Sequence, residues 1–354
     1  MTCYKPMIRC EDLTKWTKAK DGHLYHPATL FSSDRLELYD KDKFERIRQK
    51  WGNFQIIPCK NCIGCRLDYS REWANRGYLE SKCWDQNWFV TLTYDEDSIP
   101  YSEEITDSQG ITYTDSIDEM PWQGTLQPDD MTRFMKNLRK IFERKKKETN
   151  IRFMGCGEYG ENTRRPHYHL ILFNCNLPKE TFYDPHVTWN KDTVWKNTWI
   201  ERAWGKGMVQ IGECNWNSIA YVARYITKKI NGNESEEFYA MQGEKKEFFR
   251  ASNQPGIGGI YYENNKEKVY KNDKILIQNL KGVHWIKPPE YFDRLYEKEY
   301  PEKMQEIKEK RKKEMYNQLL LKGQTTTLTR WEQLQIEKST KEDSNRALKR
   351  DKTT

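Results

Sequence analysis

The stretch Arg165-Pro166-His167-Tyr168-His169-Leu170-Ile171-Leu172-Phe173 decides how the chain is read. From His167 to Phe173 it is an unbroken aromatic and aliphatic run that begins just after a proline, the pattern of a β-strand. Alternate side chains of a strand share a face, so His167 and His169 point one way and Tyr168 the other. Two imidazoles on one strand can hold a divalent cation and leave positions open for a substrate oxygen. An isolated His-x-His pair is more often two exposed strand histidines with no ligand, so the neighbouring segments must decide.

Working outward, Ile151 to Gly157 reads as a second strand. The link from Glu158 to Pro166 holds Gly160, Asn162 and Pro166, the composition of a hairpin turn. A hairpin sets Glu158 beside the histidines and completes a His167, His169, Glu158 ligand set suited to Mg²⁺ or Mn²⁺. The competing reading of Glu158 is a solvated hairpin residue. Trp88-Phe-Val-Thr-Leu-Thr-Tyr94 is a further strand, and Met208 to Ile211 a short one. Pro128-Asp-Asp opens a helix on which Met131, Phe134, Met135, Leu138, Ile141 and Phe142 recur at helical spacing.

Asn215 to Ile230 reads as a helix with Asn and Ser near its start and Asn-Gly after its end. On it Tyr221, Tyr225 and Lys228 or Lys229 fall at i, i+4 and i+7 or i+8, on one face. Ile219, Val222, Ala223 and Ile226 supply an apolar face. Read alone, this is an amphipathic helix with half-buried tyrosines. Trp189, Trp195, Trp199, Trp204 and Trp216 crowd the segment before and at its start; they are expected mainly in packing, with base stacking as the other use of exposed tryptophans.

The composition is that of a polar, folded protein. Of 354 residues, 32% are charged, yet 13% are aromatic, which a disordered chain would lack. The net charge of +7 is uneven. Asp95 to Glu119 holds nine acids and no Lys or Arg, a surface loop or small hairpin, whereas residues 301–354 carry 14 Lys+Arg against nine Asp+Glu. Basic segments favour phosphate backbones, although a solvated surface explains charge equally well. No secretory signal and no apolar run near the ~20 residues of a membrane span is present. The expectation is no membrane partner and a cytoplasmic setting, with the nine cysteines reduced or bound to metal.

Cys59-x-x-Cys62-x-x-Cys65 has metal-ligand spacing but offers three thiolates where a structural Zn²⁺ needs four ligands. Cys3, Cys10 and Cys83 are candidates for the fourth, with Cys3 preferred. An iron–sulfur cluster and three plain thiols in a turn are the alternatives.

The order Phe-Val-Thr-Leu-Thr-Tyr, Pro-His-Tyr-His, Tyr-x-x-x-Tyr-x-x-Lys resembles the three motifs of the HUH endonucleases, the rolling-circle Rep proteins of small circular replicons. More narrowly, Cys3-Tyr-Lys-Pro6, Cys59-x-x-Cys-Ile-Gly-Cys-Arg66, Gly157-Glu-Tyr-Gly160 and Tyr221-Val-Ala-Arg-Tyr-Ile-Thr-Lys-Lys229 resemble the replication initiators of gokushovirus-type microviruses. The resemblance implies an α+β fold, an HUH endonuclease-like central antiparallel sheet flanked by helices, here with a cysteine-rich N-terminal region and a charged C-terminal tail. It implies that His167, His169 and Glu158 bind Mg²⁺ or Mn²⁺, that Tyr225 is the principal nucleophile and Tyr221 the second, and that Lys228 matches the lysine following the tyrosine. The activity implied is nicking and joining of single-stranded DNA at an origin through a 5′-phosphotyrosyl intermediate, releasing a 3′-OH primer, inside a bacterial host cell.

The chain has no Gly-x₄-Gly-Lys-Ser/Thr phosphate loop, so a host helicase is expected beside the host polymerase. The expected divisions are residues 1–84, cysteine-rich; 85–232, the endonuclease core with its acidic insert 95–120; 233–300, an extension of open fold; and 301–354, a charged tail, helical or disordered. A relaxase or transposase of the same superfamily, and a non-catalytic zinc-stapled DNA-binding protein, are the rival readings.

Overall fold

The computed structural model describes residues 3–11, 17–18, 24–25, 28–32, 54–101, 104–106, 109–114, 124–147, 150–160, 163–188, 191–228, 233–279, 282–328 and 330–350. The chain divides into two compact units, Met1–Tyr69 with Gln305–Thr354, and Ser70–Met304. The first is built from both ends of the chain, a pairing of the cysteine-rich and charged segments that composition does not suggest.

In the N-terminal part of the first unit, β1 (Met7–Glu11), β2 (Thr17–Lys18), β3 (Leu24–Tyr25), β4 (Ala28–Ser32) and β5 (Phe54–Ile57) precede helix α1 (Ile63–Ser81). They form a three-stranded antiparallel sheet in the order β4-β1-β5, with Met7 opposite both Ser32 and Ile57, and a small β2–β3 ribbon.

The second unit holds β6 (Asn87–Thr93), β7 (Glu104–Thr106), β8 (Thr112–Thr114), α2 (Pro128–Arg144), β9 (Arg152–Tyr159), β10 (Pro166–Phe173), β11 (Phe182–Val187), β12 (Thr193–Asn197), α3 (Thr198–Trp204) and β13 (Val209–Glu213). After these come α4 (Trp216–Lys228), α5 (Asn233–Met241), β14 (Phe248–Ala251), α6 (Gly259–Asn272), β15 (Ile275–Asn279), β16 (Gly282–Ile286) and α7 (Glu290–Glu299). Helices α8 (Pro301–Gln324) and α9 (Arg330–Arg350) complete the chain, so the charged tail is helical. In the first unit α9 contributes Leu334 to a small core with Tyr4 and Ile63.

A seven-stranded antiparallel sheet, β11-β12-β13-β6-β10-β9-β14, forms the centre of the second unit. It is apolar on both faces, which is why β10 reads as a near-continuous hydrophobic run rather than an alternating one. On one face Val90, Leu92, Tyr168, Leu170, Leu172, Val209 and Ile211 pack with the apolar stripe of α2 and with α3. Each fully buried aliphatic side chain there contributes about 1.5–3 kcal/mol relative to exposure. Tyr168 fixes this contact: its hydroxyl lies 2.6 Å from that of Tyr94, which donates to Asp130 of α2 at 2.7 Å.

On the other face α4 packs against β9 and β10. Asn215 starts this helix, its side-chain oxygen accepting from the amides of Asn217 and Ser218. Ile219, Val222 and Ala223 are fully buried. Gly77 of α1 makes the approach possible, because a β-carbon there would stand 2.7 Å from both Ile219 and Met154.

The acidic insert folds in part as the β7–β8 hairpin. Residues 233–300, which sequence patterning left open, supply β14 to the edge of the central sheet beside β9, plus α5, α6, α7 and the β15–β16 hairpin. Among the described residues, no helix is long and apolar enough to cross a membrane.

Candidate functional site

Strand register assembles the first half of the site. Glu158 lies opposite His167 and Cys156 opposite His169 across the β9–β10 hairpin; on the other side of β10, Thr93 and Thr91 lie opposite the same two histidines. Paired residues share a face. Glu158, His167, His169 and Thr91 therefore project together toward α4, and Glu158 belongs to the strand itself rather than to the turn.

Three ligand atoms converge. Oε1 of Glu158 is 2.9 Å from Nε2 of His167 and 2.8 Å from Nε2 of His169. Glu158 and His169 are buried, and His167 is half-buried. Each imidazole is held from behind. His167 Nδ1 is 3.1 Å from the carbonyl oxygen of Arg165, which can only accept, so Nδ1 carries a proton and Nε2 is the atom left for a ligand. His169 Nδ1 is 2.9 Å from the Thr91 hydroxyl.

The set fits a small hard cation. Ligands 2.0–2.1 Å from an octahedral Mg²⁺ stand about 2.9 Å apart along each edge. The two Glu158–His spacings match that edge, and three protein ligands leave positions for water or a phosphate oxygen. This group could hold a metal.

The electrostatics agree. Burial opposes the charge on Glu158, but hydrogen bonds from His167 and His169 outweigh it and hold the carboxyl down at about 2. Burial likewise opposes a charged His167, and the bond to Glu158 overrides it, raising its pKa above the ordinary 6.5. A cation bound here takes over from protons in balancing Glu158.

Helix α4 brings the tyrosines. The Tyr221 hydroxyl lies 3.5 Å from His169 Nε2, and Tyr225 donates to the Tyr221 oxygen at 2.5 Å. The Tyr221 ring meets His169 edge-on at 5.1 Å and the Tyr225 ring stacks on it at 6.0 Å, with Phe89 stacked at 5.4 Å. Burial first, and then the Glu158 charge, push both phenols well above the usual tyrosine range. Lys228 is the last residue of α4, but its side chain, like Lys229 and Trp189, lies outside the described residues.

Sequence reading missed three contributors. Thr91 is one. The second is Glu247, just before β14, which accepts from the Tyr159 amide and from the Tyr239 hydroxyl, each at 3.2 Å, and whose charge helps raise His167. The third is the ion pair of Arg164 with buried Glu244, which anchors the hairpin turn beside His167. Of the crowded tryptophans, Trp204 is in the core and Trp195 and Trp199 pack on it. Cys59, Cys62 and Cys65 are brought together with Cys3, the preferred fourth partner. Cys83 instead contacts the Leu79 carbonyl, and the side chain of Cys10 is outside the described residues.

A family model for replication-associated protein ORF2 matches residues 87–230, which span β6 to α4 and hence the whole His-Glu-Tyr constellation. The chain is 35% identical over 316 residues to replication-associated protein ORF2 of Spiroplasma virus 4, covering 88% of this chain and 86% of that protein. It is 30% identical over 267 residues to replication-associated protein VP4 of Bdellovibrio phage phiMH2K, 74% of each. It is also 26% identical over 198 residues to replication-associated protein ORF4 of Chlamydia phage 1, 55% of this chain and 43% of that one. No solved structure matches.

Proposed function

Because this chain belongs to the family of viral replication-associated proteins, we propose that it initiates rolling-circle replication by nicking and rejoining single-stranded origin DNA. The observation that carries the reading is the meeting of two tyrosine hydroxyls with a His-His-Glu ligand set: Tyr221 Oη lies 3.5 Å from His169 Nε2, and Tyr225 Oη 2.5 Å from Tyr221 Oη.

Mg²⁺ or Mn²⁺ held by His167, His169 and Glu158 would polarise the scissile phosphate and stabilise charge on its oxygens. Tyr225 is the first nucleophile. Its phenolic oxygen forms a bond to phosphorus as the bond to the 3′ oxygen breaks, and the proton lost by the phenol is matched by the one gained by the leaving 3′-OH. The 5′ phosphate is then esterified to tyrosine, so the phosphodiester energy is kept and joining needs no ATP. Tyr221 is the second nucleophile: it cuts the regenerated origin, and the freed 3′-OH attacks the first tyrosyl ester to close a circle. Two hydroxyls within hydrogen-bonding distance suit that alternation. Lys228, on the last turn of the same helix, neutralises phosphate charge.

The partners in this reading are single-stranded and origin DNA, a host helicase for unwinding and a host polymerase that extends the 3′-OH, in the cytoplasm of a bacterial cell. The test is covalent capture. Fluorescent single-stranded DNA from the protein's own replicon is incubated with the full chain and Mn²⁺, with and without EDTA, and run on a denaturing gel. A metal-dependent adduct mapping to Tyr225 or Tyr221 is expected. A protein that binds this DNA without forming an adduct would be a zinc-stapled binder and not an enzyme.

A further inference from the structure

We propose a second, structural metal site, independent of the nicking chemistry: one Zn²⁺ held by Cys3, Cys59, Cys62 and Cys65. Four thiolates at the corners of a tetrahedron with ~2.3 Å bonds to zinc stand about 3.8 Å apart. Here Cys59 Sγ is 4.0 Å from Cys65 Sγ, Cys62 Sγ is 4.0 Å from Cys3 Sγ, and all four sulfurs lie within 4.8 Å of one another. A disulfide needs a sulfur separation of about 2.05 Å. The two 4.0 Å pairs are equal, so no pair is singled out for oxidation, and all four cysteines are free.

The backbone is arranged for anionic sulfur. The amide of Cys59 donates to Cys3 Sγ at 3.2 Å, that of Tyr4 to Cys62 Sγ at 3.3 Å, and that of Cys62 to Cys59 Sγ at 3.3 Å. Lys60, with φ of 62°, makes the left-handed turn that aims the Cys62 amide back at Cys59. Cys62 immediately precedes α1 and Cys65 lies in its first turn, where the positive end of the helix dipole favours the negative tetrathiolate. Neutral thiols are weak acceptors and would gain little from three amide donors. An iron–sulfur cluster is disfavoured because its iron and sulfide atoms would hold the cysteine sulfurs farther apart than these are.

Four protein ligands leave no open position, so the role is structural. Cys3 stands just before β1 and Cys59 just after β5, two strands paired at Met7 and Ile57. The ion therefore ties the sheet closed at one end and pins it to the start of α1. The small described core of this unit, Tyr4, Ile63 and Leu334, is the kind that needs such a staple.

The test is Co²⁺ substitution in the full, reduced, metal-free chain. One equivalent should give thiolate-to-cobalt charge-transfer absorption with tetrahedral d–d bands, and Zn²⁺ should abolish both. The histidine site has no thiolate and cannot produce that absorption. Cys59→Ser and Cys65→Ser should each weaken Co²⁺ binding at least about tenfold, and the double variant should lose the charge-transfer band. The wild-type spectrum decides even if the variants fold poorly. No charge-transfer band in the wild type, an unchanged band in the double variant, or iron in the protein as purified would overturn the proposal.

Discussion

Tyr225 donates its hydroxyl hydrogen to Tyr221 across 2.5 Å, and the Tyr221 oxygen in turn lies 3.5 Å from His169 Nε2. The two phenols therefore form a short chain leading from the helix into the ligand set, with Tyr221 nearer the ligands. Neither hydroxyl belongs to that set. Tyr221→Phe and Tyr225→Phe should each leave Mn²⁺ affinity within about threefold of wild type, as read by electron paramagnetic resonance. Their chemistry should divide. Tyr225→Phe should cut the rate of first adduct formation by roughly a hundredfold or more, whereas Tyr221→Phe should still nick but fail to release closed circles. A Tyr225→Phe protein that forms adduct at the wild-type rate would exchange the two roles.

Proton and metal compete at His167. Its Nδ1 proton is committed to the Arg165 carbonyl, so a metal must displace the proton on Nε2. Glu158 raises the pKa of His167 above 6.5. In the metal-free protein that imidazolium stabilises the fold fully below about 6.5, and the stabilisation is lost as the pH rises through the higher folded value. Mn²⁺ affinity should run the opposite way, rising by up to tenfold per unit between about pH 6 and about pH 8 and then levelling. Calorimetric titration across that range checks this; an affinity independent of pH would mean that His167 is not a ligand.

What was legible in the sequence follows the range of the interactions involved. His167 and His169 are two residues apart on one strand, and Tyr221 and Tyr225 four apart on one helix, so local periodicity alone placed each pair on a common face. Glu158 needed only the hairpin. Thr91 could not be found because its meeting with His169 depends on the β6–β10 register across 78 residues. Glu247 was hidden for a similar reason: β14 is four residues long and gains its identity only by pairing with β9. The N-terminal sheet is built from short strands distant in sequence, with Met7 paired to Ile57, and carries no periodic signal. Cys3 emerged as a preference because a fourth thiolate was required, not because its position was visible.

Thr91 gives the imidazole of His169 its orientation through the 2.9 Å contact to Nδ1. Partners of this kind, one bond behind a ligand, are typically worth about 10–100-fold in metal affinity. Thr91→Val keeps the shape of a strand residue and removes the hydroxyl. Mn²⁺ affinity should fall by about that factor, and Thr91→Ser should restore most of it. If Val and Ser variants bind equally well, packing and not the hydroxyl sets the imidazole.

Glu80 and Arg152 form a buried ion pair on the β9 strand, at the end far from Glu158, and the whole second unit leans on it. Both side chains are almost inaccessible, with Arg152 Nε 2.6 Å from Glu80 Oε1. Every remaining group is used: Glu80 also accepts from the Trp84 indole at 3.1 Å and the Gly258 amide at 2.7 Å, and Arg152 donates to the Pro255 carbonyl at 2.7 Å. The pair thus ties α1, β9 and the segment before α6 together. Removing one partner strands the other charge out of water, at a cost of about 3–5 kcal/mol. Glu80→Ala should accordingly lower the unfolding free energy by that amount in a urea titration. Replacing both residues by apolar ones should not recover it, because the Gly258 amide and the Pro255 carbonyl would then lack these partners. The nicking rate well below the unfolding temperature should stay near wild type, since neither side chain touches the histidines or tyrosines. A Glu80→Ala protein of unchanged stability would show that the pair is dispensable and that apolar packing of α1 on the sheet suffices.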